Sequence, residues 1–82
     1  MAQTSHRALR KGDKAYEEQK YQEAQQAYEK SLNADNSAKG NYNLGNSLYE
    51  QGDYASAAKR YEEAAGLAED QGIRKRAYRN LG

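Results

Sequence analysis

The chain has 82 residues and a mass of 9.2 kDa, with thirteen Lys/Arg against twelve Asp/Glu and a formal net charge of +1. This is one small domain, or a piece of a larger one, with no global field drawing it toward nucleic acid or an acidic membrane. Leu and Ile together number seven and Val, Phe and Trp are absent, which excludes a core of branched aliphatics; fourteen Ala and eight Tyr stand in their place. There is no cysteine, so disulfide, zinc-thiolate and redox chemistry are excluded, and no apolar run is long enough to cross a bilayer.

Good helix formers dominate, proline is absent, and no segment alternates β-branched with polar residues, so the chain reads as all-α. The first helix is predicted over 5–18 with Ser5 as its cap, leaving residues 1–4 as a disordered or appended N-terminus. Gln19–Lys20 interrupts the pattern before a second helix over 21–34, whose Tyr21, Ala24, Ala27, Tyr28 and Leu32 form one apolar stripe. Asn33–Ser37 is the next break, and Ser37, after Asp35–Asn36, caps a third helix over 37–51. Gly52 suits the left-handed residue that ends a helix, and Asp53 the cap of a fourth over 54–68. Its stripe is Tyr54, Ala57, Ala58, Tyr61, Ala64 and Ala65; Asp70–Gly72 then breaks the pattern before a fifth helix over 73–82. Connections this short make successive helices antiparallel.

A shift of thirty-three residues lays the chain on itself. Gly12 falls on Gly45, Tyr16 on Tyr49, Glu17 on Glu50, Tyr21 on Tyr54, Ala24 on Ala57 and Tyr28 on Tyr61. Glycine inside a helix costs about 1 kcal/mol relative to alanine. Its recurrence marks places where two helices approach too closely for a side chain, with the tyrosine one turn past the recurring alanine as the knob that enters. Tyr21, Tyr28, Tyr54 and Tyr61 are accordingly read as core, while Tyr16 and Tyr49 either pack or bind.

These residues resemble the tetratricopeptide repeat family, a helix–turn–helix unit of about thirty-four residues with the pattern L-G-x-x-Y, then A-x-x-x-F. Leu44-Gly45 through Leu48, with Ala57 through Tyr61, carry it in one unit, and Gly12 with Ala24 through Tyr28 in the other. Lys11 stands where leucine is usual, Asn41 replaces an aromatic, Gly66 sits late in the fourth helix, and neither unit ends in proline. The resemblance implies antiparallel hairpins in a right-handed α-solenoid: unit 1 over 5–36, unit 2 over 37–71 and, because Asn80-Leu81-Gly82 repeats Asn43-Leu44-Gly45, the first helix of a third unit over 72–82. On that reading the sequence is cut from a longer array, and the face left without its neighbour invites self-association or helix exchange. The strings Arg10–Tyr16 and Tyr42–Tyr49, with the spacer Ala68–Arg76, resemble more narrowly the repeat proteins of bacterial aerotolerance operons. This implies a scaffold in a membrane-associated complex facing the periplasm; without it a cytoplasmic location is expected. Ala2-Gln3-Thr4 reads equally as a mature end left by signal-peptide removal and as an ordinary translated start.

The family's first helices line a concave face that receives a peptide or partner segment. Carried onto this sequence, that face comprises His6, Leu9, Asp13, Tyr16 and Glu17, then Lys39, Tyr42, Asn43, Asn46, Tyr49 and Glu50, then Arg76, Arg79 and Asn80. Tyrosines provide flat apolar area with a polar tip, and Asn43 and Asn46, one turn apart, offer paired donors and acceptors. The family's clamp for a C-terminal carboxylate is matched by Asn43 and by Arg76 as a cationic donor. Leu9, Asp13 and Asn80 depart from it, and Asp13 would repel a carboxylate. The partner expected instead is a protein segment of mixed charge with an apolar anchor, lost on joint replacement of Tyr42 and Asn46 by alanine.

No catalytic set competes with this reading. His6 is the lone histidine, Ser and Thr have no oriented base, and Glu17–Glu18, Glu62–Glu63 and Glu69–Asp70 are helix neighbours pointing about 100° apart. Neither a metal nor an organic cofactor is implied, and no enzyme is expected. A self-associating assembly element is the second reading. The third is nucleic-acid binding through Arg74-Lys75-Arg76 and Arg79, with Tyr78 to stack on a base.

Overall fold

The computed structural model describes the backbone of residues 2–81 and the side chains of residues 4–70. Four helices follow one another: α1 (Ala2–Glu17), α2 (Tyr21–Ala34), α3 (Ala38–Glu50) and α4 (Tyr54–Leu81). α1 packs on α2 and α3 on α4 as two antiparallel hairpins, and the hairpins meet mainly where α2 receives α3. The fold is the expected array of all-α helical repeats.

The two α-α turns have the same chemistry thirty-three residues apart. Lys20 N–H reaches back to Ala15 C=O at 2.8 Å and Gln19 N–H to Tyr16 C=O at 2.9 Å; Asp53 N–H reaches Leu48 C=O and Gly52 N–H Tyr49 C=O, both at 2.9 Å. Each is a Schellman closure, which requires a left-handed residue. Gly52 takes it at φ 84°, as its sequence predicts, whereas Gln19 takes it at φ 62° with a side chain present. Of the expected caps, Ser37 Oγ accepts from Gly40 N–H at 2.9 Å and Asp53 Oδ1 from Ser56 N–H at 3.3 Å.

Three expectations are corrected. Ser5 is not a cap: α1 starts at Ala2, so residues 2–4 are helical, and Ser5 is buried with its Oγ 3.2 Å from that of Ser31. The break at Asp70–Gly72 is not made: α4 continues to Leu81. One glycine among helix formers, with no proline, costs too little to stop the helix there. Tyr54 is not core but 61 % exposed, because it lies in the first turn of α4, where it packs edge-on against Tyr49 at 4.9 Å. Tyr21, half-buried, makes the equivalent contact with Tyr16 at 5.3 Å.

The core is built from the glycine notches. Tyr28, 2 % exposed, lies across Gly12, where an added Cβ would sit 2.5 Å from the ring; Tyr61 lies across Gly45, with the corresponding distance 2.7 Å. Ala15, Ala24, Leu44, Leu48 and Ala57 complete the buried cluster, and Leu9, Tyr16, Leu32 and Tyr61 pack on its rim. Small residues on one helix and large rings on the next interdigitate without branched aliphatics. Asn41, which replaces an aromatic, is fully buried and satisfied: its Nδ2 donates to Asn36 Oδ1 at 2.8 Å and Ser37 C=O at 2.9 Å, and its Oδ1 accepts from Arg60 at 3.3 Å. It ties the α2–α3 connection to α4 with hydrogen bonds instead of a ring, as a buried amide must.

Candidate partner-binding surface

α1 and α3 run in the same direction and flank a depression of about 260 Å³ lined by Asp13, Tyr16, Glu17, Tyr28, Asn43 and Asn46. The two halves of the lining come from the same repeat positions. Asp13 follows the Gly12 notch and accepts from the Tyr28 hydroxyl at 2.7 Å; Asn46 follows Gly45 and accepts from the Tyr61 hydroxyl, also at 2.7 Å. Since glycine lets the ring close on the helix, its hydroxyl arrives at the next residue and needs an acceptor there. Asp13 and Asn46 therefore hold the packing together as well as line the groove. Joint replacement of Tyr42 and Asn46 would strip Tyr61 of both its ring contact, at 5.7 Å, and its acceptor, and is not a clean probe of binding.

A second depression, of about 530 Å³, adjoins the first through Asp13 and is lined by His6, Arg7, Leu9, Arg10 and Lys39. Arg10 belongs to the surface although the repeat pattern did not single it out; its position three residues before Asp13, one turn away, is the signal that could have found it. Leu9, by contrast, packs mainly against the core. The concave side carries cations at Arg10 on α1 and at Lys39 in the first turn of α3, and carboxylates from Asp13 onward toward the C-terminal ends, at Glu17 and Glu50. The helix dipoles have the same sense, positive at the N-termini and negative at the C-termini.

Tyr16 stands between the two ends, half-buried. Burial first, then the Glu50 carboxylate, then Tyr21 and Tyr42 push its hydroxyl pKa upward, so it stays a protonated donor through the neutral range. Tyr42 is 56 % exposed beside Tyr61, and Tyr49 is 54 % exposed at the rim with Tyr54. Asn43 is partly exposed between them. The side chains of Arg76, Arg79 and Asn80, and the whole basic stretch Arg74–Arg79, lie outside the described residues. Among the described residues no group of three or more His, Cys, Asp or Glu converges as a metal site, and no helix is long and apolar enough to cross a membrane.

The profile of the tetratricopeptide repeat family matches residues 9–72 and again residues 42–82, together covering most of the chain. A comparison with curated proteins gave no match.

Proposed function

Since the chain belongs to the tetratricopeptide repeat family, a non-catalytic scaffold whose repeats generally mediate protein–protein interaction, we propose that it captures an extended partner segment along the concave side of α1 and α3. The observation that carries this is the charge gradient of that side. Arg10 and the Lys39 end of α3 lie on one side of Asp13 and the carboxylates Glu17 and Glu50 near the helix C-termini on the other, with Tyr16 and Asn43 in the groove and Tyr42 exposed beside it. A segment with acidic residues near Lys39 and Arg10, an apolar or aromatic residue against Tyr42, and basic residues near Glu17 and Glu50 satisfies all three. The reading as a repeat protein of an aerotolerance operon, with its periplasmic location, rests on the strings at Arg10–Tyr16 and Tyr42–Tyr49 and the spacer Ala68–Arg76.

The test uses a labelled synthetic peptide with an acidic block, a central tyrosine and a basic block, alongside the peptide with the two blocks exchanged. Fluorescence anisotropy should show the first binding and, on Lys39→Glu, weakening about tenfold, the scale of one charge pair at a partly desolvated interface. Lys39 is exposed, so the variant keeps its fold. Affinity unchanged by Lys39→Glu, or equal affinity for both block orders at low salt, would overturn the assignment.

A further inference from the structure

A third surface remains, between α3 and α4, sharing Lys39 and Tyr42 with the concave side. Ala38, Tyr42, Tyr61, Ala64, Ala65 and Ala68 line an apolar depression of about 570 Å³ between α3 and α4. Its counterparts thirty-three residues earlier include Ser5, Leu9, Tyr28, Ser31 and Leu32, the surface of the first hairpin that α3 covers: a Cβ on Gly40 would sit 2.8 Å from Leu32 Cδ2. The internal repeat therefore says what kind of object belongs in the depression: a helix lying against α3 and α4.

We propose that this helix is the segment Ile73–Leu81 of a second copy of the chain, the two copies exchanging the ends of α4 about a two-fold axis. α4 is continuous from Tyr54 to Leu81, so it carries that segment along its own axis, away from its own depression. The sequence of α4 is self-complementary when run antiparallel to itself. The register that sets Ala68 against Ile73 sets Ala64 against Ala77 and Glu62 against Arg79, with Tyr61 beside Leu81. Ile73, Ala77 and Leu81 recur four apart and so share one side of the helix. The stretch from Tyr61 to Ala68 is about 10 Å of helix and that from Ile73 to Leu81 about 12 Å, at 1.5 Å per residue. Charge follows the same division. Residues 61–70 contain Glu62, Glu63, Glu69 and Asp70 and no base; residues 71–79 contain Arg74, Lys75, Arg76 and Arg79 and no acid. Antiparallel pairing places each acidic block beside the partner's basic block, which is the isologous arrangement a two-fold axis requires.

Cysteine pairs decide it, because the native chain has none. In the full chain carrying Ala65→Cys and Arg76→Cys, the two thiols are about 16 Å apart along one continuous helix and cannot join within it. Oxidation of dilute protein should give a covalent dimer of twice the 9.2 kDa chain mass. A monomer that has lost its free thiols would show instead that the segment folds back on its own depression, and unreacted thiols that nothing of this chain fills it; either result overturns the proposal. In the cysteine-free chain, sedimentation equilibrium at about 0.5 mM should show mostly dimer for any dissociation constant below about 0.1 mM. Ala65→Glu, at an exposed position, should return it to monomer with its helical circular dichroism intact. A wild-type monomer at that concentration would also refute the exchange.

Discussion

Replacing Gly12 by alanine is the sharpest test of how this fold is held. In a helix open to solvent the change gains about 1 kcal/mol, because alanine loses less backbone entropy. At Gly12 the new methyl would lie 2.5, 2.6 and 2.9 Å from three atoms of the Tyr28 ring, and ordinary contact begins near 3.4 Å. The ring must retreat by most of an ångström, yet it is 2 % exposed and its hydroxyl is tied to Asp13 at 2.7 Å. Overpacking of this kind costs about 1–3 kcal/mol, and loosening a hydrogen bond to a charged acceptor about 1.5–3 kcal/mol more. After the helix gain the net loss is about 1.5–5 kcal/mol, which at about 4–8 °C per kcal/mol for a domain of this size is on the order of 6–40 °C in Tm. Gly45→Ala meets Tyr61 at 2.7 Å, but that ring is only partly buried and can swing outward, so its loss should be about 1–2 kcal/mol. Gly66→Ala meets nothing within 4 Å and should gain about the full 1 kcal/mol. Urea unfolding of the three variants at one protein concentration, followed at 222 nm, orders them directly. Gly12→Ala as stable as Gly66→Ala would refute the notch-and-ring account of the core.

Gln19→Gly should stabilise the chain by about 0.5–1 kcal/mol in the same assay, because it relieves a side chain held at φ 62° where the equivalent Gly52 is free. The Tyr28 hydroxyl is pushed well above its ordinary 10.0 by burial, then by its hydrogen bond to Asp13 and the charge of that carboxylate, then by Tyr16. The folded state thus keeps a proton that the unfolded chain releases near pH 10, so this stabilisation is complete below about pH 10 and is lost as pH rises above it. Urea midpoints should fall as pH rises above about 10, and fall less steeply in Tyr28→Phe, which has no proton to lose there.

Much of the fold was legible because its devices repeat. The thirty-three-residue offset paired Gly12 with Gly45 and Tyr28 with Tyr61, and the structure places each ring on its glycine. Gly52, Ser37 and Asp53 announced their turn and caps through local chemistry that tertiary context does not change. What escaped were residues whose role depends on a distant neighbour. Asn41 looked like a defect in the repeat, and is a buried junction only because Asn36 and Arg60 converge on it. Ser5 had the chemistry of a cap, and Ser31 on the facing helix turned it inward; in the second hairpin Ala38 and Ala64 take the two places. Gln19 gave no sign of a left-handed backbone, which the closure from Lys20 to Ala15 imposes on it. The continuity of α4 was missed because Asp70–Gly72 resembles a break in composition, whereas a helix stops only when caps or packing make stopping favourable.

The groove and the core are coupled through a single repeat position. Glycine admits the tyrosine ring, the ring delivers its hydroxyl to the next residue on the first helix of the hairpin, and that residue must accept. An aspartate and an asparagine both can, and their second polar atom is left to the groove that they line. Packing therefore fixes where the polar group sits but leaves its charge free. The first hairpin places a carboxylate there and the second a neutral amide, so the anionic character of the groove lies on the α1 side, through Asp13 and Glu17, and is joined by Glu50 from α3 only at the far end. A repeat protein can in this way alter the charge of its concave side at positions thirty-three residues apart without altering the joint that keeps its hairpins closed.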